Sequence, residues 1–126
     1  MPVILVLEDD GATRDALAET LRRLFPGTRV LATRADAEPE VVEREGASVV
    51  LAGLSTAERL CRRGACPGAR VVALTREMGP DTLMRAEALG VSAALRAPTS
   101  AARLEAVLGP MLGAAAEAGT SVDRAV

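Results

Sequence analysis

Short apolar runs recur along the chain, and each one is followed by charged or turn-forming residues. Val3–Leu7, Ser48–Ala52 and Arg70–Thr75 are the three strongest of these runs. Uninterrupted apolar stretches of this length are typical of strands buried on both faces, as in parallel sheets. Arg29–Thr33, which alternates, and Val91–Leu95 are predicted as two further short strands.

Segments with helical spacing of apolar residues separate these strands. We predict helices at Ala12–Phe25, Ala35–Glu45, Thr56–Arg63, Pro80–Leu89 and Ser100–Leu112, with Ser55 as the cap of the third. Strand and helix thus alternate five times. This order predicts an α/β fold with a doubly wound, five-stranded parallel sheet, right-handed crossovers and a shortened third helix.

The chain has 126 residues, which suits a single domain. We place this domain at residues 1–112. From Gly113 onward the apolar stripe is lost and small and polar residues follow, so residues 113–126 are predicted to be a frayed tail or the start of a linker.

Charge and aromatic content argue against two classes of partner. The formal net charge is −2, whereas a nucleic-acid binder needs a basic face, and Phe25 is the sole aromatic residue available for stacking on bases. No apolar run approaches the length of a bilayer-spanning helix, and the first strand turns acidic too early for a signal peptide. We therefore expect a cytoplasmic protein that binds neither nucleic acid nor membrane.

Several residue types that carry enzyme chemistry are missing. The sequence contains no Lys, His, Trp, Tyr, Asn or Gln, which excludes a histidine general base, a Cys/His zinc site and a Schiff-base lysine. The two cysteines, Cys61 and Cys66, are interpreted as reduced and structurally incidental, with no redox or metal role. We expect that the chain is not an enzyme.

Loops at the carboxyl ends of the strands are the place to look for a site, because ligands of open parallel sheets bind there. The residues at these ends are Glu8 and Asp9 after the first strand, Gly53 after the third, Thr75 after the fourth and Ala97-Pro98 after the fifth.

The runs ILVLEDDGATRDALAETL, VVALT and GVSAALRAPTSAARLEAVL resemble the first, fourth and fifth units of a response-regulator receiver domain, of the CheY-like superfamily. The separations from Glu8 to Gly53 and from Thr75 to Ala97 also resemble those between the landmarks of that family. The resemblance covers residues 3–112.

This resemblance implies a role for each residue at the strand ends. Glu8 and Asp9 match the acidic pair that holds magnesium, Thr75 matches the hydroxyl that senses the phosphoryl group, and Pro98 implies a cis Ala97-Pro98 bond. Gly53 stands in place of the acceptor aspartate, and Ala97 in place of the lysine.

Glycine has no side chain to accept a phosphoryl group, so we predict that the usual phosphorylation chemistry is lost. Without the third carboxylate, magnesium binding at Glu8 and Asp9 should be weak, so we expect no cofactor. Arg76 follows Thr75, and two alternatives stay open for it: an ion pair with Asp9 or Glu8 that replaces metal and lysine, or a position in solvent.

The sequence therefore predicts an atypical receiver that acts as a signalling protein-interaction module. The resemblance places its docking surface on the fourth helix, fifth strand and fifth helix, where it would bind another protein or a second copy of itself as a homodimer. One alternative is a receiver-like switch that responds to a small molecule in the opened pocket. Another is phosphoryl acceptance by Asp10 or Ser55.

Overall fold

The computed structural model of the chain contains ten helices and strands in its described residues, which are 1–62 and 68–125, with side chains described through residue 115. In chain order these are β1 Val3–Leu7, α1 Gly11–Leu24, β2 Arg29–Thr33, α2 Val41–Arg44, β3 Val49–Gly53, α3 Leu54–Arg62, β4 Arg70–Thr75, α4 Pro80–Leu89, β5 Ala93–Arg96 and α5 Ala101–Ala125. The strands are all parallel, in the order β2-β1-β3-β4-β5. The predicted doubly wound five-stranded fold is confirmed.

β1 and β3, two neighbouring inner strands, bury apolar side chains on both faces of the sheet. Successive side chains of a strand point to opposite faces of the sheet, so each strand contributes side chains to two separate cores. One core contains Ile4, Val6, Val49 and Leu51 together with Leu21, Leu104 and Leu108 of α1 and α5. The other contains Leu5, Leu7, Val50 and Ala52 together with Val42 of α2 and Leu60 of α3. The sheet is therefore covered on both sides.

Polar side chains in the loops after β1 and β5 cap the helices that follow these loops. The carboxylate of Asp10 caps α1 by accepting a hydrogen bond from the N–H of Thr13 at 2.9 Å. The hydroxyl of Ser100 caps α5 in the same way, accepting from the N–H of Arg103 at 3.1 Å. Each cap satisfies a backbone donor that has no partner inside the helix.

Helix α2 is much shorter than predicted. We expected a helix over Ala35–Glu45, but only Val41–Arg44 is helical. Pro39 explains the difference, because proline lacks the N–H that an upstream helical turn needs and disfavours helical geometry in the residue before it. The chain from residue 34 to residue 40 instead forms turns closed by backbone hydrogen bonds.

Helix α3 begins directly after β3, with no intervening loop. The predicted start at Thr56, with Ser55 as the cap, is wrong, because Leu54 is already helical and Ser55 lies in the first turn. Within the described residues this helix has 9 residues, so the short third helix that we predict agrees with the part of the chain that the structure describes. Its predicted end, Arg63, lies outside the described residues.

Helix α5 continues well beyond the predicted end at Leu112, to Ala125, so the segment that we predicted as a frayed tail or linker start is helical. Alanine has the highest helix propensity, and the Ala114–Ala116 run favours continuation of the helix. Pro110 lies inside the helix. None of the described helices, α5 included, is long and apolar enough to cross a membrane.

Two glycines provide a test of backbone geometry, since alanine at Gly90 and at Gly109 should have opposite effects. Gly90 ends α4 with φ +75°, which disfavours a side chain, whereas Gly109 lies inside α5, and an added Cβ meets nothing within 4 Å at either position. We expect Gly90→Ala to lower the free energy of unfolding by about 1 kcal/mol and Gly109→Ala to raise it by about 0.5–1 kcal/mol. Urea denaturation measures both, and effects of the same sign would contradict the assignment.

Candidate functional site

The strand register brings the predicted site residues to one edge of the sheet. Leu7 is paired with Ala52, so Glu8 and Gly53, the next residues along, lie at the same level on neighbouring strands. The N–H of Ala97 donates to the carbonyl of Thr75 at 2.8 Å, which joins the ends of β4 and β5. Glu8, Gly53, Thr75 and Ala97 therefore follow one another along the carboxyl edge.

Both members of the acidic pair are bonded to backbone N–H groups. Asp9 is exposed, and its Oδ1 accepts from the N–H of Ala35 at 2.9 Å, which ties the loop after β2 to the end of β1. Oε1 of Glu8 accepts from the N–H of Asp10 at 3.2 Å. Each carboxylate thus contributes to the local backbone structure, and each retains a second oxygen.

The donor set at this edge fits magnesium poorly. Mg²⁺ requires near-octahedral oxygen ligation and is reluctant to lose water, so it is held by carboxylates together with further oxygen ligands. Beside Glu8 and Asp9, Gly53 contributes no carboxylate. In the described part of the chain, no group of three or more His, Cys, Asp or Glu side chains is arranged to hold a metal ion. Weak binding remains a prediction.

Arg76 does not pair with either member of the acidic pair. Its side chain is exposed, and no ion pair or hydrogen bond joins it to Glu8 or Asp9 in the described residues. Its charge acts instead on Asp10. Hydrogen bonds from Thr13 lower the pKa of Asp10 below its usual value, and the positive charges of Arg14 and Arg76 lower it further.

The hydroxyl of Thr75 is occupied within the loop that follows β4. It donates to the carbonyl of Glu77 at 2.9 Å and accepts from the N–H of the same residue at 3.3 Å. Thr75 is only partly exposed. The threonine that matches the sensing hydroxyl thus shapes the path of the chain toward α4, and its role as a switch remains a prediction.

Gly53 and Ala97 themselves contribute neither a nucleophile nor a cation to the edge. A Cβ added to Gly53 would meet its nearest atom, the carbonyl oxygen of Leu74, at 4.0 Å, which is ordinary contact. Steric crowding therefore does not require glycine at this position. The bond between Ala97 and Pro98 is cis, in agreement with the resemblance.

An open cavity of about 610 Å³ lies beside the strand ends, not over them. Its walls come from α1, from Leu74 of β4 and from the segment Ala97–Thr99 with the start of α5. Of the predicted site residues, Ala97 and Pro98 line it, whereas Glu8, Asp9, Gly53 and Thr75 do not. Sequence reasoning missed this cavity because its walls come from segments far apart in the chain.

An ion-pair cluster links α3 to α4. The carboxylate of Glu58 pairs with Arg62 on its own helix at 2.5 Å and with Arg85 of α4. Its side chain is only 19% exposed, which limits screening by water. The spacing of Glu58 and Arg62, four residues apart on a helix, is a signal for the first pair, but nothing in the sequence indicates Arg85 as the second partner.

The described cysteine has the properties of a structural residue. Cys61 is half-buried on α3, and burial raises the pKa of its thiol, which disfavours the reactive thiolate. Cys66 lies outside the described residues. The surroundings of Cys61 are thus consistent with a reduced cysteine that has no redox role.

No protein-family model matches the chain, and no curated protein matches its sequence. Solved structures do match its fold. The signal receiver domain of the DNA-binding response regulator merR from Colwellia psychrerythraea 34H has a TM-score of 0.78 at 23% identity, over 90% of this chain and 99% of that one. Chemotaxis protein CheY4 from Vibrio cholerae has a TM-score of 0.74 at 16% identity, over 88% and 98%.

A putative pilus assembly-related protein from Burkholderia pseudomallei K96243 has a TM-score of 0.67 at 25% identity, over 88% of this chain and 89% of that one. The compared chains are matched over nearly their full lengths, and so is this one. The chain therefore has the fold of response-regulator receiver domains, as its sequence indicates.

The Glu58 cluster predicts a dependence of stability on pH. The hydrogen bond from Arg85 lowers the pKa of Glu58 below its ordinary value of 4.5, and the charges of Arg62 and Arg85 lower it further. Because the pKa is lower in the folded state, the stabilisation is fully present above the unfolded value and is lost as the pH falls through the folded one. Glu58→Gln should therefore destabilise the protein at neutral pH and make the acid loss of stability shallower.

Urea midpoints measured between about pH 6 and pH 3, the range over which carboxylates titrate, test this expectation. Glu105→Gln is the matched control, because Glu105 is an exposed helical residue that takes part in none of the observed ion pairs. If the urea midpoints of Glu58→Gln and of the unsubstituted protein fell in parallel with pH, this carboxylate would have no role in the acid loss of stability.

Proposed function

We propose that this chain is an atypical receiver domain of two-component signalling, not phosphorylated in the usual way, that acts by binding another protein. One observation carries the proposal. Gly53 ends β3 at the level of Glu8, where a receiver needs a carboxylate nucleophile, and it offers no side-chain atom. Ala97 at the end of β5 likewise offers no cation for the phosphoryl oxygens.

Neither alternative acceptor is well placed to replace the missing aspartate. The carboxylate of Asp10 caps α1, where it accepts hydrogen bonds from both the N–H and the hydroxyl of Thr13. Ser55 lies in the first turn of α3, with no histidine anywhere in the chain to act as its base. The positions of Asp10 and Ser55 therefore favour the loss of phosphoryl acceptance over its transfer to one of these residues.

The surface of α4 supports a docking role. This helix buries a single residue, Ala86, while the apolar side chains of Leu83 and Met84 are 45% and 68% exposed. Exposed apolar side chains next to one another mark interaction sites more often than isolated ones do. Arg96, at the end of β5, is exposed and would lie at the rim of such an interface. We propose that α4, β5 and α5 bind a protein partner, including a second copy of the chain.

Incubation with acetyl phosphate and Mg²⁺, followed by intact-protein mass spectrometry, tests the loss of phosphorylation. We expect no acyl phosphate on the unsubstituted protein, because an in-line carboxylate is missing. A receiver domain with an acceptor aspartate serves as the positive control for the donor. A stable phosphoryl adduct on any residue of this chain would overturn the proposal.

A metal titration tests the role of the missing carboxylate. The space beside Gly53 accommodates a Cβ, and we expect Gly53→Asp to fold and to complete a set of three carboxylates with Glu8 and Asp9. We expect Mg²⁺ affinity to rise at least about tenfold, since affinity follows the number of charged oxygen ligands. Gly53→Asn has the same shape without the charge and should stay near the unsubstituted protein. Equal affinities in all three proteins would contradict this role.

Sedimentation velocity over a range of concentrations tests self-association through α4. We expect a concentration-dependent dimer that Met84→Glu abolishes, because a buried unpaired carboxylate opposes association. Ala12→Glu, on the exposed surface of α1, is the control and should leave the dimer intact. A chain that stays monomeric at the highest concentration, or a dimer that tolerates Met84→Glu, would contradict a homodimer on this face.

A further inference from the structure

The open cavity beside the strand ends, called here the α1–α5 groove, has an apolar base. Four leucines line it, of which Leu104 is fully buried and the others are half-buried: Leu17, Leu24, Leu74 and Leu104. Small residues, Ala16 and Ala101, stand where longer side chains would fill the space. Its volume of about 610 Å³ lies within the range of sites that hold small organic ligands.

One hydroxyl in this groove lacks a partner. Three threonines line it, and two of them are occupied: Thr13 donates to the carboxylate of Asp10, and Thr20 donates to the carbonyl of Ala16 at 3.0 Å. Oγ1 of Thr99 is the one buried side-chain oxygen without a hydrogen bond in the described residues. This oxygen is closed off from solvent as it lies, so a ligand in the groove would reach it only after rotation about the Cα–Cβ bond of Thr99, which exchanges hydroxyl and methyl.

One charge borders the groove. Arg23 is the charged residue among the described lining side chains, it is exposed, and it forms no ion pair or side-chain hydrogen bond with the rest of the described chain. A guanidinium group without a carboxylate partner next to an apolar surface is complementary to a ligand that has an anionic head and an apolar body.

We propose that the α1–α5 groove is a binding site for a small organic anion, with its apolar body against the leucines and its carboxylate on Arg23. A groove of this size with a single lining cation suits a small molecule that has one anionic group. This inference goes beyond the proposed function and does not depend on it, because the leucines and Arg23, which hold the ligand, are not positions of the phosphorylation site. Ala97 and Pro98 would form part of the wall that the ligand contacts.

Titration of the ¹⁵N-labelled protein with octanoate, kept below its micelle concentration, tests the site by NMR. We expect saturable shifts that cluster on α1, Thr99 and the first turn of α5. Neutral 1-octanol has the same apolar body, and octanoate should bind more tightly by up to about fivefold, the range expected for an exposed ion pair. Arg23→Gln should remove this preference for the anion, whereas Arg103→Gln, an exposed arginine outside the groove, should retain it.

A second pair of variants tests the apolar part of the groove. Ala101 lines it and Ala102 does not, and both are exposed residues of α5. Ala101→Leu should weaken both probes at least about tenfold by filling the space, and Ala102→Leu should leave binding unchanged. Thermal melting verifies that both variants fold. Absence of saturable binding, shifts centred elsewhere, or binding that tolerates both Arg23→Gln and Ala101→Leu would overturn the proposal.

Discussion

The structure depends on two strands that are buried on both faces. Because β1 and β3 have no polar face, helices must cover the sheet on both sides, and each helix must cross over to start the next parallel strand. The same direction in all five strands then brings every carboxyl end to one edge. The position of the site thus follows from how the core is buried, whatever side chains the edge carries.

Because the fold does not depend on the side chains at the carboxyl edge, the residues at these positions can vary while the fold persists. Neither Gly53 nor Ala97 belongs to the buried core, and the space beside Gly53 shows that glycine is not needed for packing. The acidic residues have structural roles of their own, since Asp9 anchors the loop after β2 and Asp10 caps α1. Their presence therefore gives little support for a metal site.

Sequence patterns predicted those elements whose cause is local. β2, β4 and α4 have the bounds that we expected, because apolar runs define the strands and because Pro80 and Gly90 limit the helix. Helix α2 was overestimated because Val41 and Val42 among charged residues are typical of a surface helix, whereas Pro39 prevents the helix from extending upstream. Helix α5 was underestimated because the loss of an apolar stripe does not end a segment with high alanine propensity.

The candidate site was predictable only in part, because some of its contacts depend on how separate elements pack against one another. The strand ends converge because of topology, which the sequence reveals, whereas the groove depends on where α1 lies relative to α5. Whether Arg76 meets a carboxylate likewise depends on how the loop after β4 lies relative to the end of β1, and in the described residues no ion pair joins its exposed side chain to Glu8 or Asp9. Contacts of this kind are set by distances between elements, and no spacing within one element encodes them.

A series of hydrogen bonds connects the groove with the loop that leads into α4. Ala97 lines the groove, and its N–H is bonded to the carbonyl of Thr75, whose hydroxyl is bonded in turn to Glu77. Glu77 lies in the loop that leads into α4, the helix with the exposed apolar side chains. These bonds connect Ala97, in the wall of the groove, with the surface that we propose for docking, and no side chain of Gly53 or Ala97 takes part in them.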